Sequence, residues 1–378
     1  MKQKANKDSK PKVVMYFTYA DRIGGPLTYL NMLMASPLNQ VYDFDTCFQN
    51  KAPKGLNVSL LREMTARLKQ LKPDVLHIHG VQSEGLYGAI AGRLAGCKHI
   101  VMTVHGLAFD DSGCRGIKRF LYRRIVEPLA LRLSHRVYCV CDFAAQRPIV
   151  RNNAGRGKRN CGYIYNCVPA HTPGVSREQM RQQLGVGEDQ KLFCFSGRVS
   201  REKGLDLLAE ALHLLAQKEL PAWKFMVIGD GTYRPEFEQA VKPLLEQGRV
   251  IMAGQTDRVA DYLEAADGFV FPSYHENLSI ALLEACGAGL ACIVSDAGGN
   301  PEIIRNGVNG IVIDQKTPAA YAAAMEALLR DPEMMKSYQL KAQRDVHARF
   351  GREEMLERIE KVYDGCINNS KCTEKGIN

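Results

Sequence analysis

Short apolar runs alternate with segments of helical apolar spacing along almost the whole chain, and this alternation restricts the fold more than any other feature. The runs have the length and composition of β-strands, and segments such as LDLLAEALHLLAQ between them repeat apolar residues with a 3.6-residue period. Because the runs are apolar on both faces, they predict parallel sheets covered by helices on both sides. The predicted strands are 13–20, 74–80, 99–106, 135–141, 191–198, 224–231, 250–254, 268–273, 291–296 and 310–313.

The strand and helix series pauses between residues 166 and 179, where two prolines, a glycine and no periodicity predict a linker. With 378 residues the chain is also longer than the ~250 to 300 residues at which single cores stop growing. We therefore expect two doubly wound α/β domains, the first at 1–170 and the second at 171–345. The helical, polar-rich stretch at 346–378 is expected to pack back on the first domain.

The net charge of +9 is unevenly distributed, with +15 in residues 1–170 and −6 in the remainder. A basic first half attracts an anionic partner, which can be a phosphate-bearing substrate, an acidic membrane surface or nucleic acid. The twelve cysteines show no C-x-x-C pair and no zinc-type spacing, which is typical of free buried thiols in a reducing cytosol. The apolar run near the start is too short for a signal peptide, and no stretch reaches the ~20 residues of a membrane span. We expect a cytoplasmic protein.

Ligands of open parallel sheets bind at the carboxyl ends of the strands, so the residues after each run are the first candidates for a site. Arg198 and Lys203 follow the run 191–198 and precede a helix, where two cations can clamp a diphosphate and stabilise the charge that grows on it. Gly24 and Gly25 follow the first run in the same way and suit a phosphate at a helix N-terminus. The alternatives are a solvated basic turn and a Gly-Gly turn without a ligand.

The segment FPSYHENLSIALLEACGAG carries two glutamates eight residues apart, Glu276 after a strand and Glu284 inside a helix predicted to start near Leu278. Eight residues are a little over two helical turns, so both carboxylates can face one side. Glu284 lies among apolar residues, where a carboxylate is rarely buried without a partner. The alternative is that Glu276 complements the helix dipole and Glu284 is exposed.

Histidines end two strands of the first half. His105 is followed by glycine and a polar loop and is a candidate for contact with a ligand, whereas His77 is expected to be a structural hydrogen-bonding residue. Asp43 and Asp45 form a D-x-D pattern, by which another class of sugar transferase binds a divalent metal. Because this pattern lies outside the strand-end arrangement, we expect no metal site there.

Together these residues resemble the retaining, metal-independent glycosyltransferases of the GT-B fold, specifically the large family 4, also called glycosyl transferases group 1. The resemblance covers almost the whole chain and rests on GG, DVLHIHG, TVHG, IYNCVP, SGRVSREKG, VIGDG, AADGFVFPS, the E-x7-E pair and GGNPEII. A basic loop followed at this distance by E-x7-E is highly specific. The resemblance implies two Rossmann-like domains facing a cleft, no cofactor and no metal, and a UDP- or GDP-sugar as donor.

The resemblance also implies roles for single residues. The amide of Gly25 and the cations of Arg198 and Lys203 would hold the diphosphate, Glu276 would bond hydroxyls of the donor sugar with His105 beside it, and Glu284 would bond the ribose. Backbone amides near the sugar would come from a segment that departs from the Gly-Phe-Pro of many members, which leaves the identity of the sugar open. In this chain the segment is Asn277, Leu278 and Ser279.

Residues 114–136 carry seven Arg or Lys and one acid, interleaved with apolar residues at near-helical spacing. Such a basic amphipathic surface suits an anionic membrane or a lipid-linked pyrophosphate acceptor, and the alternative is a solvated helix. No recognition motif accompanies the charge, so nucleic acid is not expected as a partner.

The sequence therefore predicts an enzyme that moves a sugar from a nucleoside diphosphate to a glycan or lipid-linked acceptor with retention, in cell-surface polysaccharide or glycoconjugate synthesis. It would be cytoplasmic, with peripheral association at the inner face of the membrane. Two rivals stay open: a nucleotide-sugar epimerase of the same fold and a sugar-nucleotide-binding protein without turnover. A dehydrogenase is not expected, because neither half has a GxGxxG followed by an acidic residue ~20 positions on.

Overall fold

The structure is a computed structural model that describes residues 10–18, 25–49, 57–110, 114–154 and 160–368. The chain forms two compact units. The first unit comprises residues 1–166 together with 352–378, and the second comprises residues 167–351. The chain passes between them first within the irregular stretch 164–176, where the sequence predicts a linker.

In the described part of the first unit, six parallel strands form one sheet in the order β2-β1-β3-β4-β5-β6. The chain runs from β1 to the edge strand β2 and then returns to the other side of β1 with β3. The strands are β1 Lys12–Thr18, β2 Asp43–Gln49, β3 Val75–His79, β4 His99–Val104, β5 Arg136–Cys139 and β6 Asn160–Tyr163. The helices before residue 160 are α1 Gly25–Met34, α2 Val58–Leu71, α3 Ser83–Ala95, α4 Gly116–Leu121, α5 Glu127–Leu133, α6 Asp142–Gln146 and α7 Pro148–Asn153.

The second unit repeats this plan, with a six-stranded parallel sheet in the order β12-β11-β10-β7-β8-β9. Its central strands bury a group of phenylalanines, which include Phe193, Phe195, Phe269 and Phe271. The strands are β7 Lys191–Ser196, β8 Trp223–Ile228, β9 Val250–Gly254, β10 Gly268–Phe271, β11 Ala291–Ser295 and β12 Ile311–Ile313. The helices are α8 Arg177–Gln183, α9 Leu205–Ala216, α10 Arg234–Ala240, α11 Lys242–Glu246, α12 Val259–Ala265, α13 Ile280–Gly287, α14 Asn300–Ile303, α15 Pro318–Arg330 and α16 Pro332–Arg349.

The last described helix, α17 Arg352–Ile367, belongs to the first unit. It is separated from α16 by Phe350 and Gly351, so the helical stretch is broken in two. The buried Tyr363 of α17 shares a hydrogen bond of 2.7 Å with His77 of β3. The Arg136 side chain of β5 donates a hydrogen bond of 2.5 Å to the carbonyl of Gly365. These contacts tie α17 to the sheet of the first unit.

The prediction of two parallel-sheet α/β domains is confirmed, but the sequence runs omit two strands. β2 and β6 are the two edge strands of the first sheet. β2 starts with an exposed aspartate and has only two fully buried residues, and β6 has four residues with a glycine among them. Polar residues interrupt both β2 and β6, so they lack the apolar run by which the other strands, including the edge strands β9 and β12 of the second sheet, are detected. The described cysteines are free and buried, as predicted.

Candidate active site

The sheet of the second unit has a topological switch point between β7 and β10. The chain leaves β7 towards β8 and β9 on one side, and β10 returns to the other side of β7. In open parallel sheets such a switch point leaves a crevice outside the carboxyl ends of the two strands, where ligands bind. The loops that follow β7 and β10 are therefore the walls of a candidate site.

These two loops are held against each other by their backbones. The amide of Tyr274 donates a hydrogen bond of 2.9 Å to the carbonyl of Glu202. Gly204 has φ +73°, and a Cβ added there would lie 2.1 Å from the carbonyl oxygen of Pro272. Because any side chain would collide with that backbone, only glycine permits this approach.

The closeness of the loops joins two of the predicted site residues. Lys203 Nζ donates a hydrogen bond to Glu276 Oε1 at 2.5 Å, with the side chains 23% and 9% exposed. The same ammonium lies 5.2 Å from the centre of the Phe271 ring. Low exposure strengthens a charge pair relative to a surface pair. The lysine and the glutamate thus form one charged unit at the switch point.

Arg198 lies on the same loop as Lys203 and is exposed. Its side chain makes no hydrogen bond or ion pair within the described ranges. The backbone on either side of it is nevertheless fixed, because the amides of Gly197 and Val199 donate to the carbonyls of Ile228 and Asp230, each at 3.0 Å. An anchored backbone therefore presents a guanidinium whose five N–H donors are available to an anion.

The segment after Glu276 is supported by the loop that follows β11. Gly298 has φ +57°, and a Cβ there would lie 1.9 Å from the carbonyl oxygen of Glu276. The amide of Gly299 donates to the carbonyl of Asn277 at 2.7 Å. Ser279 caps α13 by accepting a hydrogen bond of 3.2 Å from the amide of Leu282. The three side chains that follow Glu276 are all buried: Asn277, Leu278 and Ser279.

Glu284 lies on α13 and is half-buried. Burial raises the pKa of its carboxyl to about 7, and no described residue shares a hydrogen bond or ion pair with it. The helix begins at Ile280, two residues after the predicted start near Leu278, and Glu276 precedes it in the loop as predicted. The serine cap sets that start, so the helical repeat does not relate the two glutamates. A desolvated carboxylate without a protein partner is suited to accept hydrogen bonds from a ligand.

Histidines lie at the carboxyl end of the first sheet, where the second sheet has the charged Arg198, Lys203 and Glu276. His77 is fully buried and bonded to Tyr363 and to Thr103, each at 2.7 Å, which is the structural role predicted for it. His105 follows β4 and its Nε2 lies 3.1 Å from Nδ1 of His79, the last residue of β3. Burial lowers the pKa of His105 to about 4, so its imidazole is neutral at pH 7. His79 is not among the residues predicted for the site, although its period-2 spacing from His77 places both on one face of β3.

Two further predicted positions fall at the start of the chain. Gly25 is the first residue of α1, so its amide lies at a helix N-terminus. Gly24 lies outside the described residues. Asp43 and Asp45 lie at the amino end of β2, where both pair with the ammonium of Lys12, at 3.5 and 3.6 Å. No group of three or more His, Cys, Asp or Glu in the described ranges is arranged to hold a metal ion.

The basic segment 114–136 forms α4 and α5, joined by a π-helical turn at Tyr122–Val126. It exposes five large apolar side chains at helical spacing, so that they lie along one stripe. None of the described helices is long and apolar enough to cross a bilayer. The stripe consists of Ile117, Phe120, Leu121, Ile125 and Leu129.

Comparison with known families identifies the chain. Residues 176–345 match the sequence model of the glycosyl transferases group 1, and residues 34–158 match that of a glycosyl transferase 4-like domain. The two matches together span more than three quarters of the 378 residues. The chain is a group 1 glycosyltransferase.

Individual relatives of this glycosyltransferase are distant. It is 28% identical over 269 residues to the UDP-Gal:alpha-D-GlcNAc-diphosphoundecaprenol alpha-1,3-galactosyltransferase of Escherichia coli, which covers 68% of each chain. Among solved structures it resembles Anabaena HepE in complex with UDP-glucose, with a TM-score of 0.77, 20% identity and coverage of 93% and 99% of the two chains. It also resembles WaaG, a glycosyltransferase involved in lipopolysaccharide biosynthesis, with a TM-score of 0.71, 17% identity and coverage of 94% and 100%. At these identities the structural likeness shows the GT-B fold.

Proposed function

We propose that this glycosyltransferase is retaining and metal-independent, and that it transfers a sugar from a UDP- or GDP-sugar to a glycan or lipid-linked acceptor in cell-surface polysaccharide or glycoconjugate synthesis. One observation carries the proposal. The Lys203–Glu276 pair lies at the switch point of the second sheet. Arg198 is on the same loop as Lys203, and its side chain has no hydrogen bond or ion pair with a described residue. The E. coli relative, which uses UDP-Gal and a diphosphoundecaprenol acceptor by its name, and the UDP-glucose complex of HepE support the choice of donor and acceptor.

The residues have distinct tasks in this mechanism. Arg198 and Lys203, with the amide of Gly25, hold the diphosphate and stabilise the negative charge that it gains when the bond to the sugar breaks. The two cations supply the positive charge that a metal ion supplies in other transferases, so the proposal needs no metal. Glu276 accepts hydrogen bonds from hydroxyls of the donor sugar, and the amides of residues 277–279 line that part of the site.

Retention follows if the acceptor hydroxyl approaches the same face that the nucleotide leaves. The bond between the anomeric carbon and the phosphate oxygen breaks, the acceptor oxygen bonds to that carbon, and the departing phosphate oxygen takes the hydroxyl proton. No protein nucleophile is then required, and the protein contributes orientation and a preorganised positive site. Glu284 accepts hydrogen bonds from the ribose hydroxyls, which gives its half-buried carboxylate the partners that no described residue provides.

A screen of nucleotide sugars tests the donor. We expect a UDP- or GDP-sugar to raise the unfolding temperature, since a ligand at 100 times its Kd stabilises the folded state by about 2.7 kcal/mol. Incubation of the selected donor with and without candidate acceptors, in EDTA, then separates the possible activities. Transfer with the anomeric configuration kept supports the proposal. An epimerised donor without acceptor, or binding without any product, would replace it with one of the rivals.

We further propose that the segment 114–136 docks on an anionic lipid surface at the inner face of the membrane. Its apolar stripe is exposed, with Ile117 at 73% and Phe120 at 55%, and the neighbouring Arg123 and Arg124 are exposed as well. Apolar side chains flanked by cations are typical of helices that lie in the interface of an anionic bilayer. A bilayer at this position would also bring a lipid-linked acceptor to the first unit, which contains this basic segment.

Co-sedimentation with vesicles tests the docking. We expect the wild type to sediment with phosphatidylglycerol-containing vesicles and to stay in solution with pure phosphatidylcholine vesicles. The double variant Ile117→Ser/Phe120→Ser should lose most of this binding. Leu340→Ser, which changes an equally exposed leucine of the second unit, is the matched control and should bind like the wild type. Equal recovery with both kinds of vesicle would count against the docking.

A further inference from the structure

We infer that His79 is a positioning residue for His105: its Nδ1–H donates to His105 Nε2 and so holds the single proton of His105 on Nδ1, the nitrogen that no described residue binds. The inference rests on the proposed function only where it assigns the donor sugar as the partner of that N–H. The arrangement of the two rings stands on the geometry of the first unit alone.

His79 is held rigidly. It is 5% exposed, and its ring stacks on Phe17 with centroids 4.2 Å apart and an angle of 12° between the planes. On another side the ring of His77 lies 4.1 Å away. A ring packed in this way cannot rotate without moving its neighbours, so the direction of its Nδ1 towards His105 is fixed.

Both rings are neutral. Burial lowers the pKa of His105 to about 4 and lowers that of His79 well below its usual value, and the neighbouring His77 and His105 rings lower the pKa of His79 further. The other polar groups around them, the hydroxyls of Tyr29 and Tyr138, bond to each other at 2.9 Å and carry no charge at neutral pH. Each imidazole of the pair therefore has one proton, on one of two nitrogens.

The surroundings of His79 decide which nitrogen that is. Its Nε2 is buried and has no hydrogen-bond partner in the part of the chain that the structure describes. If His105 donated from Nε2, His79 would have to carry its own proton on this buried nitrogen, as an N–H without an acceptor. Buried N–H groups without a partner are rare and cost about 1 to 3 kcal/mol. With the proton of His79 on Nδ1, no N–H is left without an acceptor in the interior.

The resulting tautomer suits a sugar in the course of transfer. His105 then offers an Nδ1–H donor to a hydroxyl of the donor sugar. Glycosyl transfer passes through a state with positive charge on the anomeric carbon and ring oxygen. A neutral donor orients the sugar without repelling that charge, whereas an imidazolium would raise the barrier. The His79 hydrogen bond thus selects the nitrogen that carries the proton of His105, and burial keeps that imidazole neutral.

Two variants test the positioning role. His79→Phe keeps a ring in the stack on Phe17 but removes the hydrogen bond, and His79→Asn places an amide N–H near the position of Nδ1. We expect His79→Phe to lower kcat by roughly tenfold, which is the worth of one net hydrogen bond, with little change in KM for the donor. We expect His79→Asn to recover most of the loss. In both, the ring-nitrogen NMR shifts of His105 should follow kcat, with Nδ1 protonated in the wild type and a mixture of tautomers in His79→Phe.

Tyr363→Phe is the matched control, because it removes a buried hydrogen bond in the same unit and keeps the His77 ring that packs on His79. It should lower the unfolding temperature and leave the His105 shifts and kcat unchanged. A wild-type His105 protonated on Nε2 would overturn the inference, as would a His79→Phe enzyme with wild-type kcat. The NMR measurement needs no substrate. A protein that transfers no sugar but shows the Nδ1 proton would therefore refute the proposed function and leave the hydrogen bond in place.

Discussion

Each of the two sheets has a topological switch point at its carboxyl end, and the side chains at the two points have opposite chemistry. In each unit the chain runs outward from one strand and returns on its other side, which puts a switch point between β1 and β3 and another between β7 and β10. The second switch point carries the Lys203–Glu276 pair and the exposed Arg198. The first carries buried imidazoles and phenols, with His79 bonded to His105. Topology therefore decides where a ligand meets the sheet, and the side chains decide which part of the ligand it is.

The proposed function calls for both kinds of chemistry: cations for a diphosphate, such as those at the second sheet, and neutral hydrogen-bond donors for a sugar, such as those at the first.

Removal of the cations should have the largest effect. Lys203→Ala and Arg198→Ala should each lower turnover by on the order of 10² to 10³, because the charge on the leaving diphosphate loses its stabilisation. Arg201→Ala is the control from the same loop, since its side chain is 77% exposed and pairs with Asp206. Steady-state rates with a fixed donor measure the change. Near-wild-type turnover in both site variants would remove this assignment.

Replacement of the half-buried Glu284 by glutamine should raise stability at high pH and lower the affinity for the donor. Its folded pKa of about 7 lies above the usual 4.5, so the folded state resists ionisation. The resulting loss of unfolding free energy grows between about pH 4.5 and 7 and is complete above pH 7. Glu284→Gln should therefore be more stable than the wild type at pH 8 by about 2 to 3 kcal/mol, and equal to it at pH 4.

Urea unfolding at the two pH values and calorimetry with the donor measure these two changes. Donor affinity should fall in Glu284→Gln, because an amide replaces a carboxylate that accepts from the ribose. The same stability difference at pH 4 and pH 8 would contradict the assignment of the raised pKa to Glu284.

Loss of the hydrogen bond between Tyr363 and His77 in the first unit should lower the stability of the fold without changing turnover. Tyr363→Phe removes the hydroxyl bonded to His77 and should lower the unfolding free energy by about 1 to 2 kcal/mol, since a buried nitrogen loses its partner. Turnover should be unchanged, because His77 does not bond to the His79–His105 pair. A loss of turnover with unchanged stability would show that the Tyr363–His77 hydrogen bond is not a purely structural contact that acts separately from the His79–His105 pair.

The smallest effect is expected at the amino end of the first sheet. Asp43→Asn/Asp45→Asn removes the partners of Lys12 and should change the unfolding free energy by less than about 1 kcal/mol, as is usual for exposed pairs. Added Mg²⁺ should not alter the transfer rate of either the wild type or the variant. A rate that depends on Mg²⁺ and is lost in the variant would make the D-x-D pattern a metal site.

The sequence predicts the central strands well and the contacts of the site only in part. The ten detected strands leave apolar runs, with the edge strands β9 and β12 among them, whereas polar residues interrupt β2 and β6. The rule that ligands bind at strand ends selects Arg198, Lys203 and Glu276. The pairing of Lys203 with Glu276 depends on β10 lying next to β7, and the order of strands in a sheet differs from their order in the chain. The sequence could not supply that adjacency.

The return of α17 to the first unit has a consequence for synthesis on the ribosome. Residues 167–351 form a continuous body, and all of them are translated before Tyr363 exists. Domains usually complete their folding in the order in which they emerge. Here His77 must wait for its phenol partner until the final helix has left the exit tunnel, so the second unit can finish its core while the first is still incomplete. Newly made chains should therefore gain protease resistance in residues 167–351 first.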